Sequence, residues 1–255
     1  LKISRLASEL GISRIKLTGG EPLVRRICVP LVKELKALPG IRQVTLTTNG
    51  ILLKEQLPGL MEAGLDALNI SLDTLNPENF PKITRHNELD RTLEGLATAL
   101  SYQSLKVKVN CVPTFQTDQE LLQVAALARD NPLHVRFIEM MPIGLGREFT
   151  ARDEKSVKDI LEKAYGPLTP VSEILGNGPC HYYTLEKFCG KIGFISALSH
   201  KFCQQCNRVR LTSTGYLKGC LQFQNGVDLK VLLRNGASDE ILKNALQKVI
   251  FEKPA

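Results

Sequence analysis

Five short β-branched runs, each followed by a longer amphipathic stretch, occupy the first part of the chain, and this alternation constrains the fold more than any other feature. The runs are "RIKLT" (14–18), "QVTLTTN" (43–49), "ALNISLD" (67–73), "VKVNCVP" (107–113) and "HVRFIEM" (134–140). Helical patterns lie near residues 25–38, 52–63, 88–102 and 118–129. Strands separated by helix-length segments cannot pair as hairpins. They predict βα units and a parallel sheet or barrel.

Each run ends in polar or backbone-special residues: "TGGEP", "TTNG", "SLD", "NCVP" and "EMMP". In α/β barrels the carboxyl ends of the strands are where sites are built. Any one such loop is explained by solvent exposure, whereas five in succession point to a functional rim. With 255 residues, 43% of them apolar, the chain can bury a substantial core as one large or two smaller domains.

After about residue 146 the pattern changes. A charged helix, "RDEKSVKDILEKAYG", precedes Pro- and Gly-rich turns, the strand-like pieces "HYYTL", "KIGFISA", "RVRLT" and "YLKGC", and two closing helices, "DLKVLLRNG" and "DEILKNALQKVIF". This reads as an antiparallel β unit with helices, appended to the first module. The division expected is 1–145 and 146–255. No run approaches the roughly 18 apolar residues of a membrane span, and the start lacks an apolar signal core, so an intracellular setting is expected. The opening "LKISRLASEL" reads as the middle of a helix with Ile3, Leu6, Ala7 and Leu10 on one face. Both ends are abrupt, and a fragment is expected.

The net charge of +7 favours anionic partners without choosing among them. Lys106 and Lys108 share a strand face, as Arg208 and Arg210 would if "RVR" is a strand. Two parallel guanidiniums suit a phosphate or a purine edge, although an exposed basic strand is the commoner meaning of a lone RxR. The turn "TGGEP" (18–22) allows close backbone approach through Gly19 and Gly20 and offers Glu21 to a ligand, or it is a plain tight turn. Thr47, Thr48, Asn49, Ser71 and Asp73 suit sugar hydroxyls or an amino-acid group, unless Asn49-Gly50 is only a turn and Asp73 only a cap.

Seven cysteines without regular spacing argue against a disulfide framework in a large intracellular domain. Cys203, Cys206 and Cys220 stand apart: a CxxC pair, thirteen residues, then one more thiol. His200 or Cys189 would complete a zinc tetrahedron. Alternatively, an iron-sulfur cluster on three thiolates leaves one iron open to substrate, with the neighbouring arginines beside it.

Taken together, "KLTGGEPL", "LTTNG", "LNISLDTL", "KVKVNCV", "VRFIEMMPIG" and "HKFCQQCNRVRLTSTGYLKGCL" resemble the molybdenum cofactor biosynthesis protein A family, radical S-adenosylmethionine enzymes that act as GTP 3',8-cyclases. The resemblance spans nearly the whole chain. It implies an incomplete α/β barrel, here without its first strand, followed by a smaller α+β domain holding a second 4Fe-4S cluster. Matched position by position, it implies Cys203, Cys206 and Cys220 as ligands of that cluster. It further implies Lys16, Thr47, Lys108, Arg208, Val209 and Arg210 at GTP, and Gly20, Ser71 and Met141 at S-adenosylmethionine. The expected partners are GTP as substrate and cyclic pyranopterin synthase as the downstream enzyme, with a homodimer among the arrangements implied and no nucleic acid or membrane. A bacterial chain would be cytoplasmic and a eukaryotic one organellar.

The family's CxxxCxxC motif, upstream of a helix like that at 1–10, is absent from these residues, as is its glycine-rich C-terminal tail. Cys28 sits in a helical pattern without partner cysteines. The expectation is therefore a piece of a two-cluster radical enzyme that would not generate a radical as written. The rival expectation is a non-catalytic GTP-binding protein that keeps only the C-terminal cluster.

Overall fold

In the computed structural model, which describes residues 1–173, 175–200 and 202–253, the βα alternation is realised in full. In chain order the first part runs α1 (Lys2–Glu9), β1 (Arg14–Leu17), α2 (Cys28–Lys36), β2 (Gln43–Thr48), α3 (Leu53–Glu62), β3 (Ala67–Ser71), α4 (Phe80–Thr84), α5 (Leu89–Leu100), β4 (Lys106–Cys111), α6 (Asp118–Asp130) and β5 (His134–Ile138). The second part runs α7 (Glu154–Tyr165), β6 (Thr169–Pro170), β7 (His181–Thr184), β8 (Ile192–Ile195), β9 (Arg210–Leu211), β10 (Tyr216–Lys218), β11 (Gly226–Asp228), α8 (Leu229–Arg234) and α9 (Asp239–Phe251). Local signals place the helices. Thr117 and Glu120 form a reciprocal capping box at α6, and Asp153 and Ser238 cap α7 and α9.

Strands β1 to β5 lie side by side in parallel. The sheet then continues past residue 145, because β8 adds in parallel beside β5 and β7 and β6 follow antiparallel. Its edges are β1 and β6, so the barrel is open. Val44, Leu46, Leu68, Ile70, Val107, Val109, Val135 and Phe137 turn to the helices and are buried in the main core. Alternate residues must face the other way, and these are Lys16, Thr45, Thr47, Asn69, Ser71, Lys108, Asn110 and Arg136. Parallel strands covered on both faces normally read as continuous apolar runs. A polar inner face means that this side of the sheet lines a site.

A second, smaller core joins the two ends of the chain. The antiparallel sheet β11-β10-β9 packs with α8 and α9, and Leu6 of α1 is fully buried among Leu217, Leu229, Leu242, Leu246 and Val249. Lys2 and Arg5 pair with Asp239, and Lys243 with Glu9. These exposed pairs contribute little, so burial of Leu6 holds α1 in place. Leu6→Ala is expected to cost about 2–5 kcal/mol, read as a lower urea midpoint with an unchanged slope. Among the described residues no helix is long and apolar enough to cross a membrane.

Candidate functional site

The strand register stacks the polar inner face into rungs. Thr47 lies beside Asn69, Asn69 beside Lys108, and Lys108 beside His134. One step along, Ser71, Asn110, Arg136 and Gly193 form the next rung. Gly193 is required there, since a Cβ would come within 2.5 Å of Cys180 Sγ and 3.1 Å of Arg136 Cγ. Arg136, only 8% exposed, donates from Nη2 to Asn69 Oδ1 at 2.7 Å and from Nε to Asn110 Oδ1 at 2.9 Å. Asn69 in turn donates through Nδ2 to Thr47 Oγ1 at 3.2 Å. Neutral amides thus orient a buried guanidinium without cancelling its charge.

Around it the charge accumulates. Lys16 is reachable by solvent yet enclosed by the concave face, and burial, then Arg136, Arg208 and Arg210, push its amine down to about 8. Burial and Arg136, aided by Lys16 and Lys106, bring Lys108 down to about 8 against an opposing effect of Cys180. Burial and then Arg208 also lower Arg210. Among the described residues none of these five cations pairs with a carboxylate. Lys108 Nζ donates instead to the Leu175 carbonyl and, at 3.0 Å, to the Tyr182 hydroxyl. Five converging cations held against their own repulsion make a strong site for a polyanion.

The carboxyl ends of the strands form a second region. Gly20 and Ser71 are exposed there, and nothing lies within 4 Å of a Cβ built on Gly20. Met141 follows β5, its carbonyl accepting from the Ile143 N–H at 2.8 Å. Glu21 does not reach toward a ligand. Its carboxylate accepts from Thr48 Oγ1 and the Asn49 N–H, both at 2.7 Å, and from the Leu23 N–H at 3.0 Å, because the adjacent strand end and 3-10 turn present donors needing an acceptor. Asn49 makes an Asx turn to the Ile51 N–H. Asp73 accepts from the Val112 N–H at 2.7 Å, and burial raises its carboxyl to about 6. These three residues brace the rim, and Gly20 and Ser71 are left open.

The cysteine loop lies beside the cations. Cys203 opens a 3-10 turn, and the Cys206 N–H donates to its carbonyl at 3.1 Å. Burial would raise the Cys206 thiol, but the Arg208 N–H and guanidinium together with Lys253 outweigh it and lower the thiol. Lys253 Nζ also donates to the carbonyls of Cys206 and Arg208. Strand β9 begins only at Arg210, so Arg208 is not held by strand alternation. Its guanidinium lies 5.3 Å from the Phe202 ring centroid. Val209 turns its side chain into the second core.

Neither residue considered as a fourth zinc ligand is placed for it. His200 Nδ1 is 3.4 Å from Glu154 Oε2, and Cys189 sits between β7 and β8 with its N–H on the Arg129 carbonyl. All seven cysteines are free. Cys206 and Cys220 both oppose the lowering of Arg210, so two of the three thiols are near enough to act on it electrostatically. The soft thiol set fits an iron-sulfur group in kind, while among the described residues no three His, Cys, Asp or Glu side chains converge into a closed metal cage.

The profile of the Radical SAM superfamily matches residues 1–128, and that of Molybdenum Cofactor Synthesis C matches residues 133–255. GTP 3',8-cyclase of Clostridium perfringens (strain 13 / Type A) is 43% identical over 256 residues, covering 100% of this chain and 79% of that protein. The GTP 3',8-cyclase of Syntrophomonas wolfei is 45% identical over 258 residues, with the same two coverages. The chain belongs to the GTP 3',8-cyclase family. Membership of the radical S-adenosylmethionine superfamily implies an iron-sulfur cluster and S-adenosylmethionine as cofactors. Streptococcus suis SuiB matches with a TM-score of 0.65 at 15% identity, over 99% of this chain and 58% of that one. Its form bound to S-adenosylmethionine gives 0.63 at 15% identity, over 95% and 59%. At that identity the likeness is one of fold.

Arg136, Asn69 and Asn110 are the functional-face residues that sequence reasoning passed over. A signal existed, because "ALNIS", "KVKVNC" and "HVRFI" each place polar residues at alternate positions of an otherwise apolar strand. That alternation marks an inner face occupied by something polar.

Proposed function

We propose that this chain carries the substrate site of a GTP 3',8-cyclase, which converts GTP to (8S)-3',8-cyclo-7,8-dihydroguanosine 5'-triphosphate, the first step of molybdopterin cofactor biosynthesis. The observation that carries the reading is the group of five cations, Lys16, Lys108, Arg136, Arg208 and Arg210, without a carboxylate partner among the described residues. A triphosphate brings the charge that this face lacks. Lys16, Lys108 and Arg136 hold it from the barrel side, Thr47 faces the ribose, and the Arg208–Val209–Arg210 segment closes the site from the second core. Gly20, Ser71 and Met141 on the rim hold S-adenosylmethionine.

Cys203, Cys206 and Cys220 would hold an iron-sulfur cluster through their thiolates. When bound, the family's cofactors would supply one-electron radical chemistry, and the ligand motif for the cluster that starts it is not among these residues. The residues of this chain orient the ribose and keep the triphosphate anchored. The product passes to an enzyme that builds a pterin from it.

Calorimetric titration of anaerobically reconstituted protein tests the reading. GTP is expected to bind at least about 100-fold more tightly than guanosine, because two or more charge-assisted contacts to phosphate are each worth about 1.5–3 kcal/mol, and the difference is expected to shrink as salt rises. Equal affinities for GTP and guanosine would show that the cation group does not hold the triphosphate.

A further inference from the structure

Two buried carboxylates outside the cation group grip the segment that leads into the cysteine loop. Glu139 follows the last residue of β5, and its N–H donates to the Ile195 carbonyl at 3.0 Å, so the strand pairing continues through it. Its carboxylate, 6% exposed, accepts from the N–H groups of Leu198 at 2.9 Å and Ser199 at 3.0 Å, from the Ser199 hydroxyl, and from the Glu154 N–H at 3.2 Å. Glu154, 7% exposed, accepts from the Ser196 hydroxyl and pairs with Lys158 at 2.5 Å. The turn is closed by the His200 N–H on the Ser196 carbonyl at 3.2 Å.

Burying a carboxylate is costly unless its oxygens are satisfied by donors. Here the loop supplies both backbone and hydroxyl donors, and neither carboxylate touches the five cations. The grip therefore serves position. Its location is specific: Met141 lies two residues beyond Glu139, and Cys203 lies four residues beyond Ser199. One side chain thus ties the rim of the barrel at β5 to the entrance of the cysteine loop.

We infer that Glu139 is a positioning residue for GTP binding, locking the 196–200 turn so that Cys203, Cys206, Arg208 and Arg210 meet the barrel cations in register. This rests on the GTP reading above. It extends that reading to a residue with no contact to the substrate, acting through Ser199 and Leu198.

Glu139→Gln retains shape but replaces one acceptor by a donor, so either the Ser199 hydroxyl and Glu154 N–H, which share Oε1, or the Leu198 and Ser199 N–H groups, which share Oε2, lose their acceptor. Ser199→Ala deletes one donor and leaves the backbone grip, which keeps the test available should the first variant fold poorly. Glu120→Gln is the control, because Glu120 is another buried carboxylate that caps α6 and accepts from Thr74 and Asn79, far along the sequence from the cysteine loop. Hydrogen exchange and calorimetry with GTP are run on folded, reconstituted protein. Glu139→Gln is expected to raise amide exchange over 198–206 and to weaken GTP binding about tenfold, Ser199→Ala to do the same more weakly, and Glu120→Gln to lower the unfolding midpoint with unchanged GTP affinity. Wild-type GTP affinity in both Glu139→Gln and Ser199→Ala, or an equal loss in Glu120→Gln, overturns the inference. Absence of GTP binding by the unsubstituted protein overturns the GTP reading instead, and the exchange of 198–206 then still reports whether Glu139 holds the turn.

Discussion

Arg210→Ala is expected to weaken GTP binding by roughly tenfold to 150-fold while leaving iron incorporation intact, as the loss of one charge-assisted phosphate contact of about 1.5–3 kcal/mol requires. Arg210 is chosen because it is the member of the Arg208–Arg210 pair that a strand holds, paired through Lys218 of β10, so truncation removes a fixed group. The same change withdraws one of the positive neighbours that lower Lys16. Lys16 is therefore expected to titrate closer to an ordinary lysine in the variant, a partial compensation that keeps the loss at the lower end of the range near pH 8. Lys54→Ala, removing an exposed pair with Glu94 on the helical side, is expected to leave affinity unchanged. Wild-type affinity in Arg210→Ala would remove this residue from the site. A loss of iron together with GTP binding would show that it serves the cysteine loop and not the phosphate.

The alternation of apolar runs foretold every strand from β1 to β5 and the longer helices between them, though not the short α4, because period and length are local properties. What local pattern could not show was where β6 to β8 would go. Nothing in "HYYTL" or "KIGFISA" distinguishes a strand that starts a new sheet from one that extends an old one, and β8 adds to β5 through register formed across more than fifty residues. Placement of α1 was hidden in the same way: its apolar face was plain, but Leu6 finds its partners in α8, α9 and β10 at the far end of the chain. At the site, Lys16 and Lys108 could be nominated from the sequence, and both lie on the inner face of the large sheet, where Arg136, Arg208 and Arg210 all act electrostatically on Lys16. Glu21 and Asp73 looked equally eligible, yet their carboxylates are consumed by Thr48, Asn49 and Val112. Whether a polar group faces ligand or neighbour depends on which donors the adjacent strand end presents, and that is a tertiary fact.

GTP affinity is expected to fall by roughly 100-fold between pH 7 and pH 9, and the sign follows from the two lysines. Lys16 and Lys108 titrate near 8 in the free protein, so both are mostly protonated at pH 7 and mostly neutral at pH 9, and each must regain a proton to meet the triphosphate, at about tenfold per lysine over this range. An exposed lysine, titrating near 10.4, would leave the affinity flat across the same interval. Repeating the titration with inorganic tripolyphosphate, which has no base to ionise, separates the lysines from guanine. The unliganded protein is expected to respond in the opposite sense. Between about 8 and 10.4 the unfolded chain binds more protons at these two positions than the folded one, so the lysines' contribution to stability rises with pH. Affinity falling while the unfolding midpoint of the free protein holds or climbs is the signature of cations assembled against their own repulsion to await an anion. A flat affinity profile from pH 7 to pH 9 would mean that the two amines meet no phosphate.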